Sequence, residues 1–127
     1  MRKKCATIAA VLFLLIGICV TEQIMVYRFT HSALRETHEV LSLIQMGDLA
    51  AAQKKAHALD LAWDEDAKKL EVLVDHRSTD DVRYALSRLL AALESGDAAA
   101  SLIYAGELEG GIEHVYERQA VTIENMF

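Results

Sequence analysis

Proline is absent from this 127-residue sequence, and cysteine occurs only twice, at Cys5 and Cys19. The two cysteines are 14 positions apart, about 21 Å along a helix, so they cannot form a disulfide within one helix. The chain beyond Cys19 therefore has no disulfide scaffold, zinc–thiolate site, thiol nucleophile or covalent haem attachment. The missing proline, the abundant alanine and leucine, and the lack of β-branched runs after the N-terminal segment together predict an all-α protein.

Basic residues are scarce outside the N-terminus. The chain has 13 basic and 19 acidic residues, and without Arg2, Lys3 and Lys4 the balance is 10 against 19, a net charge of about −9. Such a domain lacks the basic face that nucleic acids or anionic lipid headgroups require of a main partner. About 100 residues remain after the N-terminal segment, enough for one hydrophobic core.

Catalytic motifs are also missing from the sequence. It contains no glycine-rich phosphate loop, no Gly-x-Ser-x-Gly turn and no His-Glu-x-x-His helix, so we predict no enzyme activity and no cofactor. His31 and His38 are seven positions apart on one predicted helix, whereas two metal ligands on one helix face favour a spacing of four. Solvated or partly packed side chains are the favoured interpretation for this pair, with a shared metal site as the alternative.

An apolar segment at the N-terminus is the strongest signal that is present. Cys5 to Val20 contains no charge, and Ile24 to Tyr27 continues the apolar character after Glu22. A helix from Cys5 to Val26 would be about 33 Å long, enough to cross a hydrocarbon core of about 30 Å. We interpret residues 1–27 as a basic cap and an uncleaved transmembrane anchor, followed by a helical domain over 28–127.

A cleaved signal peptide is the competing interpretation of this segment. It normally ends in small residues at the cleavage site, whereas this run ends in Ile18, Cys19 and Val20. Orientation follows from Arg2, Lys3 and Lys4, because basic flanks stay on the cytoplasmic side. The sequence thus predicts a single-pass protein of the cell membrane with a cytoplasmic N-terminus and an extracytoplasmic C-terminal domain.

The domain after the anchor has four amphipathic segments, which predict helices over about 28–46, 48–75, 79–95 and 97–125. The first segment repeats apolar or small residues at steps of three and four, which predicts a continuous helix leaving the membrane with a buried seam of Tyr27, Thr30, Leu34, Thr37, Leu41 and Ile44. The second places Trp63 in the middle of its apolar stripe. Short links between four such helices predict an up-down four-helix bundle.

Glycine, aspartate and serine mark the predicted helix ends. Gly47 and Gly96 suit left-handed positions after a helix, while Asp48, Asp97 and Ser78 can accept hydrogen bonds from the first free amides of the next one. Three glycines inside the fourth predicted helix suggest close packing against a neighbouring helix, with a kink, hinge or partner groove as the alternative, namely Gly106, Gly110 and Gly111.

Asp75 and His76 lie where the second predicted helix meets the third. A histidine at a helix C-terminus is stabilised by the helix dipole, so the pair is interpreted as a structural corner, with a binding or pH-sensing pair as the alternative. Trp63 is the only tryptophan, and it is predicted to be in the core with its indole N–H donating to a facing helix.

Several of these features occur together in a known family. The short basic start, the single span, Trp63, Asp75-His76 and the ending from Thr122 through Asn125 to Phe127 resemble domain-of-unknown-function family 4363, small single-span proteins of clostridia and related Gram-positive bacteria. The matching positions are Trp63, His76 and Asn125. The resemblance implies a location and an architecture but no activity. It also implies a membrane partner, with a multi-span protein of the YetF type as the candidate, because family members tend to be encoded near such proteins.

The sequence therefore favours a non-enzymatic, membrane-anchored accessory or interaction protein with an extracytoplasmic helical bundle. The alternative is a ligand- or pH-sensing bundle that acts through a membrane partner, because the cytoplasmic side has too few residues for an output of its own. An enzyme is the least favoured of the three classes, since no nucleophile–base pair or metal constellation appears.

Overall fold

The computed structural model of the chain describes residues 1–71 and 76–126, with side chains described for 1–71 and 76–118. Its four helices are α1 (Arg2–Gln45), α2 (Leu49–Leu70), α3 (His76–Glu94) and α4 (Ala98–Met126). The described residues contain no strand, which confirms the predicted all-α class.

The first helix, α1, joins the apolar segment to the bundle without a break. It has 44 residues and is about 66 Å long. An 18-residue stretch of α1 near the N-terminus has a mean hydropathy of 2.3, and none of it is buried. Buried residues begin at Val26 and continue to Ile44. By length and composition, the free part of α1 is able to cross a membrane.

The helices form an up-down four-helix bundle. α1 packs against α2 and α4, and α3 packs against the same two helices. His38 lies beside Glu109, and Tyr27 lies beside Tyr116, so residue numbers fall along α4 as they rise along α1. We call the end where α1 leaves the bundle the near end. The far end carries the turns at Gly47 and Gly96.

The core consists mainly of leucine, alanine and valine around Trp63, which is 2% exposed. Among the buried polar residues, three donate their hydroxyl to the carbonyl four positions earlier in the chain: Thr30, Thr37 and Ser101. This local hydrogen bond removes the cost of burying an unpaired hydroxyl.

The predicted seam of α1 was wrong in its phase at three positions. Val26, Ala33 and Val40 are buried, whereas Leu34 and Leu41 are half-buried and Tyr27 is 50% exposed. The predicted Thr30, Thr37 and Ile44 are buried as expected. Steps of three and four along the helix allow either member of three neighbouring pairs to continue this seam: Val26 or Tyr27, Ala33 or Leu34, and Val40 or Leu41. Packing against α2 and α4 determines which member of each pair faces inward. On α4, Ser101 is buried in the core, and its neighbour Leu102 is 38% exposed.

The turns at the far end match the prediction. Gly47 and Gly96 have φ angles of +81° and +75°, which L-residues with a Cβ rarely adopt. Asp48 accepts from the Ala51 amide at 3.1 Å, and Asp97 accepts from the Ala100 amide at 3.0 Å. These are two N-caps of the same kind, at the starts of α2 and α4.

The near-end connection differs from the prediction. α2 ends at Leu70 rather than near residue 75, and α3 begins at His76 rather than at 79. Ser78 therefore lies inside α3, buried, where its hydroxyl accepts from Arg118 at 3.2 Å instead of capping a helix. Asp75 lies outside the described residues.

Candidate functional site: the groove between α1 and α2

A groove with an aromatic floor runs along the surface where α1 and α2 meet. The rings of Phe29 and Trp63 are 4.5 Å apart between centroids and tilted by 31°. The cavity above them has a volume of about 250 Å³, and small side chains leave it open, namely Ser32, Ala58 and Ala62. We call this space the Trp63 cavity.

A second space adjoins the Trp63 cavity towards the near end of the bundle. It has a volume of about 350 Å³ and shares Phe29, Ser32 and Asp66 with the first. Met25 and Leu70 add apolar surface, and two cationic residues, Arg28 and Lys69, line it from α1 and α2. We call this space the Arg28 groove. The two spaces form one continuous surface that is apolar within and charged along its borders.

Charged residues border the groove unequally at its two ends. At the Trp63 cavity, Glu36 lies 3.6 Å from Lys55 and 3.9 Å from Arg35, and Lys55 also pairs with Glu39, so two cations face two carboxylates there. At the Arg28 groove, Lys69 is 70% exposed, and its Nζ atom lies 3.9 Å from Asp66. This long, exposed ion pair is weak. The Arg28 groove thus has two cations against one carboxylate and can attract an anion.

The prediction that Trp63 lies in the core is confirmed, but the predicted hydrogen bond from its indole N–H to a facing helix is not observed. Its indole Nε1 is buried and has no acceptor among the described residues. A buried unpaired donor costs about 1–3 kcal/mol relative to a satisfied one. The tryptophan is therefore held by packing against Phe29 and by the burial of its apolar ring surface. The Trp63 cavity beside it has room for another molecule.

The histidines do not form a shared site. His31 stacks on Tyr27, with ring centroids 5.4 Å apart, whereas the Nε2 atom of His38 lies 3.2 Å from Glu109 on α4. Both are exposed, as the favoured interpretation predicted. No cluster of three or more potential metal ligands occurs in the described part of the chain.

His76 does not occupy the position on which its predicted role depended. It is the first residue of α3 and is exposed, so it lies at the positive end of a helix dipole rather than at the negative end. The expected dipole stabilisation of a protonated His76 is therefore wrong in sign. Asn125 lies within α4, but its side chain is outside the described ones.

The glycines of α4 agree only partly with the predicted close packing. A Cβ added at Gly111 would meet Cγ2 of Val82 at 3.4 Å, so α3 approaches α4 closely there. A Cβ at Gly106 or Gly110 would meet nothing within 4 Å, so close packing was wrong at these two positions. Helix α4 continues through all three glycines.

Phe29, Arg28 and Lys69 are among the groove residues that the sequence pattern did not indicate. Phe29 lies one position before Thr30 and is only half-buried, so it is outside the buried seam. The sequence feature that could have indicated the groove is the aromatic pair, because Phe29 and Trp63 are large apolar residues on consecutive helices whose other core residues are mainly aliphatic.

The comparisons with known proteins define the relationship of the chain at the level of the family. No curated protein and no solved structure is significantly similar to it. The family described as "Domain of unknown function (DUF4363)" matches residues 20–126, which is the whole bundle and the last part of the apolar segment. Because this match covers most of its length, the chain belongs to the DUF4363 family.

Proposed function

We propose that this chain is a non-enzymatic accessory protein of the cell membrane, anchored by the first part of α1, whose bundle lies outside the cytoplasm and binds a membrane protein. The observation that carries the proposal is the continuity of α1. One helix is free and apolar at its start, and from Val26 onwards the same helix provides part of the bundle core.

The physical consequence of this continuity is a rigid connection. A flexible linker would let the bundle move freely above the membrane, whereas an uninterrupted helix fixes its height and orientation relative to the span. The half-buried residues Cys19, Glu22 and Gln23 continue the inward stripe of α1 at helical spacing, so packing extends into the last part of the apolar segment. A bundle held this close to the bilayer is suited to contact another membrane protein beside it.

Orientation in the proposal rests on charge. Arg2, Lys3 and Lys4 are exposed at the very start of α1, and the far side of the apolar run begins with Glu22. Basic flanks are retained in the cytoplasm, which leaves the bundle outside. A multi-span membrane protein, with the YetF type as the candidate, is the partner that we propose.

Photocrosslinking in living cells tests the partner directly. A photoreactive phenylalanine analogue would replace one exposed apolar residue on each of three helices: Leu61, Tyr84 or Ile103. Ser87, an exposed polar residue of α3, provides the control position. We expect a specific adduct with one membrane protein from at least one apolar position and none from Ser87. The proposal would be contradicted if no position gave an adduct, or if all four positions gave the same unspecific mixture of adducts.

A sensing bundle is the second candidate, and the Trp63 cavity favours it. A ligand bound there would contact Phe29 and Ser32 of α1, the same helix that enters the membrane. A partner would still have to carry the signal. Binding of a small molecule that shifts Trp63 fluorescence, without any protein adduct in the crosslinking experiment, would favour this candidate over the first.

A further inference from the structure

We propose that the Arg28 groove binds the headgroup of a membrane phospholipid, and that the bundle is thereby seated on the lipid surface from which α1 emerges. The inference rests on the proposed membrane anchoring but adds a binding site and a ligand class to it. The ligand class is a phosphodiester headgroup that carries O–H or N–H donors, such as phosphatidylglycerol.

The height of the groove above the apolar segment is the first argument. The interpreted span ends at Val26, so Met25 lies in its last turn, and Arg28 follows Val26 by two positions, about 3 Å along the helix. The headgroup layer occupies about 5–7 Å beyond the hydrocarbon on each side, and an arginine side chain can reach several ångströms back towards it. The groove therefore opens at or just above the level of the lipid phosphates.

The chemistry of the lining is the second argument. Arg28 of α1 and Lys69 of α2 border the same groove, and among the described residues Arg28 has no ion pair. Arginine and lysine are the usual phosphate-binding side chains, because they combine positive charge with several N–H donors. Asp66 and Ser32 also line the groove, and their oxygens can accept hydrogen bonds from the glycerol hydroxyls of a headgroup.

An apolar surface of α1 leads to the groove. Ile24 and Met25 are 48% and 44% exposed, and they extend the lipid-facing surface of α1 up to the mouth of the groove. Met25, Phe29 and Leu70 then form its apolar lining. A phospholipid could place its phosphate between the two cations while its acyl chains stay beside α1. A free phosphate ion would leave this apolar surface uncovered.

The overall acidity of the bundle does not oppose a local site of this kind. The domain is acidic as a whole, but Asp64 of α2 lies 3.1 Å from Arg83 of α3 and 3.3 Å from Lys68. The groove itself contains two cations and one carboxylate. A screened, exposed charge acts over about 8–10 Å, so the local balance determines attraction for a bound headgroup.

Native mass spectrometry of the full chain, released from a detergent micelle, measures lipid binding directly. Phosphatidylglycerol and phosphatidylcholine of identical acyl chains would be offered in turn, since the choline headgroup has the phosphate but no O–H or N–H donor, and its quaternary ammonium cancels the phosphate charge. We expect retained phosphatidylglycerol at a lipid-to-protein ratio of one, and clearly less phosphatidylcholine. Equal retention of the two lipids, or none of either, would overturn the proposal.

A matched pair of variants locates the site. The double variant Arg28→Gln, Lys69→Gln is expected to weaken phosphatidylglycerol binding by roughly tenfold or more, since it removes both cations of the groove. The control, Arg35→Gln with Lys54→Gln, removes one exposed cation from each of the same helices outside the groove. Equal weakening by both pairs would mean non-specific charge attraction and would contradict a site in the groove.

Two further measurements distinguish failure of the lipid assignment from failure of the proposed membrane anchoring. Competition by excess inorganic phosphate that displaces the lipid completely would identify a free-phosphate site and overturn the lipid assignment. Extraction of cell membranes with alkaline carbonate tests the anchoring alone. A chain that resists extraction but shows no lipid preference would refute the groove proposal and leave the proposed function intact, whereas an extracted chain would refute the anchoring itself.

Discussion

Trp63 shows how a single residue can be assigned from the sequence in one respect and not in another. The apolar stripe of α2 predicted that its ring would be buried, and it is 2% exposed. The stripe gave no information on the indole N–H, which has no acceptor in the described part of the protein. Periodicity reports which face of a helix is inward, whereas a hydrogen bond depends on atoms of another helix whose position only folding determines.

The first prediction concerns the packing of this residue. Trp63→Ala is expected to lower the free energy of unfolding by about 3–5 kcal/mol, because it leaves a large cavity beside Phe29. Leu61→Ala is the control, since Leu61 lies two positions away on α2 and is 72% exposed, and it should change stability by less than about 0.5 kcal/mol. Denaturant unfolding followed by circular dichroism measures both. Similar losses for the two variants would contradict the assignment of Trp63 to the core.

His76 shows the limit of an argument from local sequence. Its predicted role required α2 to reach residue 75, but α2 ends at Leu70 and α3 starts at His76 itself. A shift of a few residues at a helix boundary moved the side chain from the negative end of one dipole to the positive end of another. Ser78 failed as a predicted cap for the same reason.

At the scale of the elements, the far-end turns were predictable and the phase of α1 was not. A glycine followed by aspartate carries its own local physics, namely a positive φ angle and a side-chain acceptor for free amides. The choice between Ala33 and Leu34, or between Val40 and Leu41, depends on the neighbouring helices instead. The core took the smaller residue in each case and left the leucine half-buried at its edge.

The second prediction contrasts glycines in two kinds of position. Gly106→Ala and Gly110→Ala are each expected to raise stability by about 0.5–1 kcal/mol, because both lie within α4 and the added Cβ meets open space. Gly47→Ala is expected to destabilise the protein by about 1–2 kcal/mol, because its φ of +81° is left-handed. Thermal unfolding of the three variants provides the comparison. Destabilisation by Gly106→Ala would indicate a contact with another molecule at that surface.

At the scale of the whole molecule, composition and periodicity were sufficient to predict four helices and their up-down order, because short connections leave few alternatives. They were not sufficient to find the groove between α1 and α2. Its opening depends on small residues from two helices lying side by side, Ser32 with Ala58 and Ala62, and their relative height is set only by packing. Sites formed between elements are for this reason the hardest to derive from sequence.

In the proposed topology, α1 crosses the membrane once and holds the bundle outside. The test of this topology starts from a chain with Cys5→Ala and Cys19→Ala, into which one cysteine is introduced by Ser42→Cys, an exposed site towards the far end of α1. Intact cells are treated with a maleimide that cannot cross membranes, and a second sample is permeabilised first. If the bundle lies outside the membrane, we expect equal labelling of the introduced thiol in both samples. Labelling only after permeabilisation would place the bundle in the cytoplasm and contradict the proposed topology.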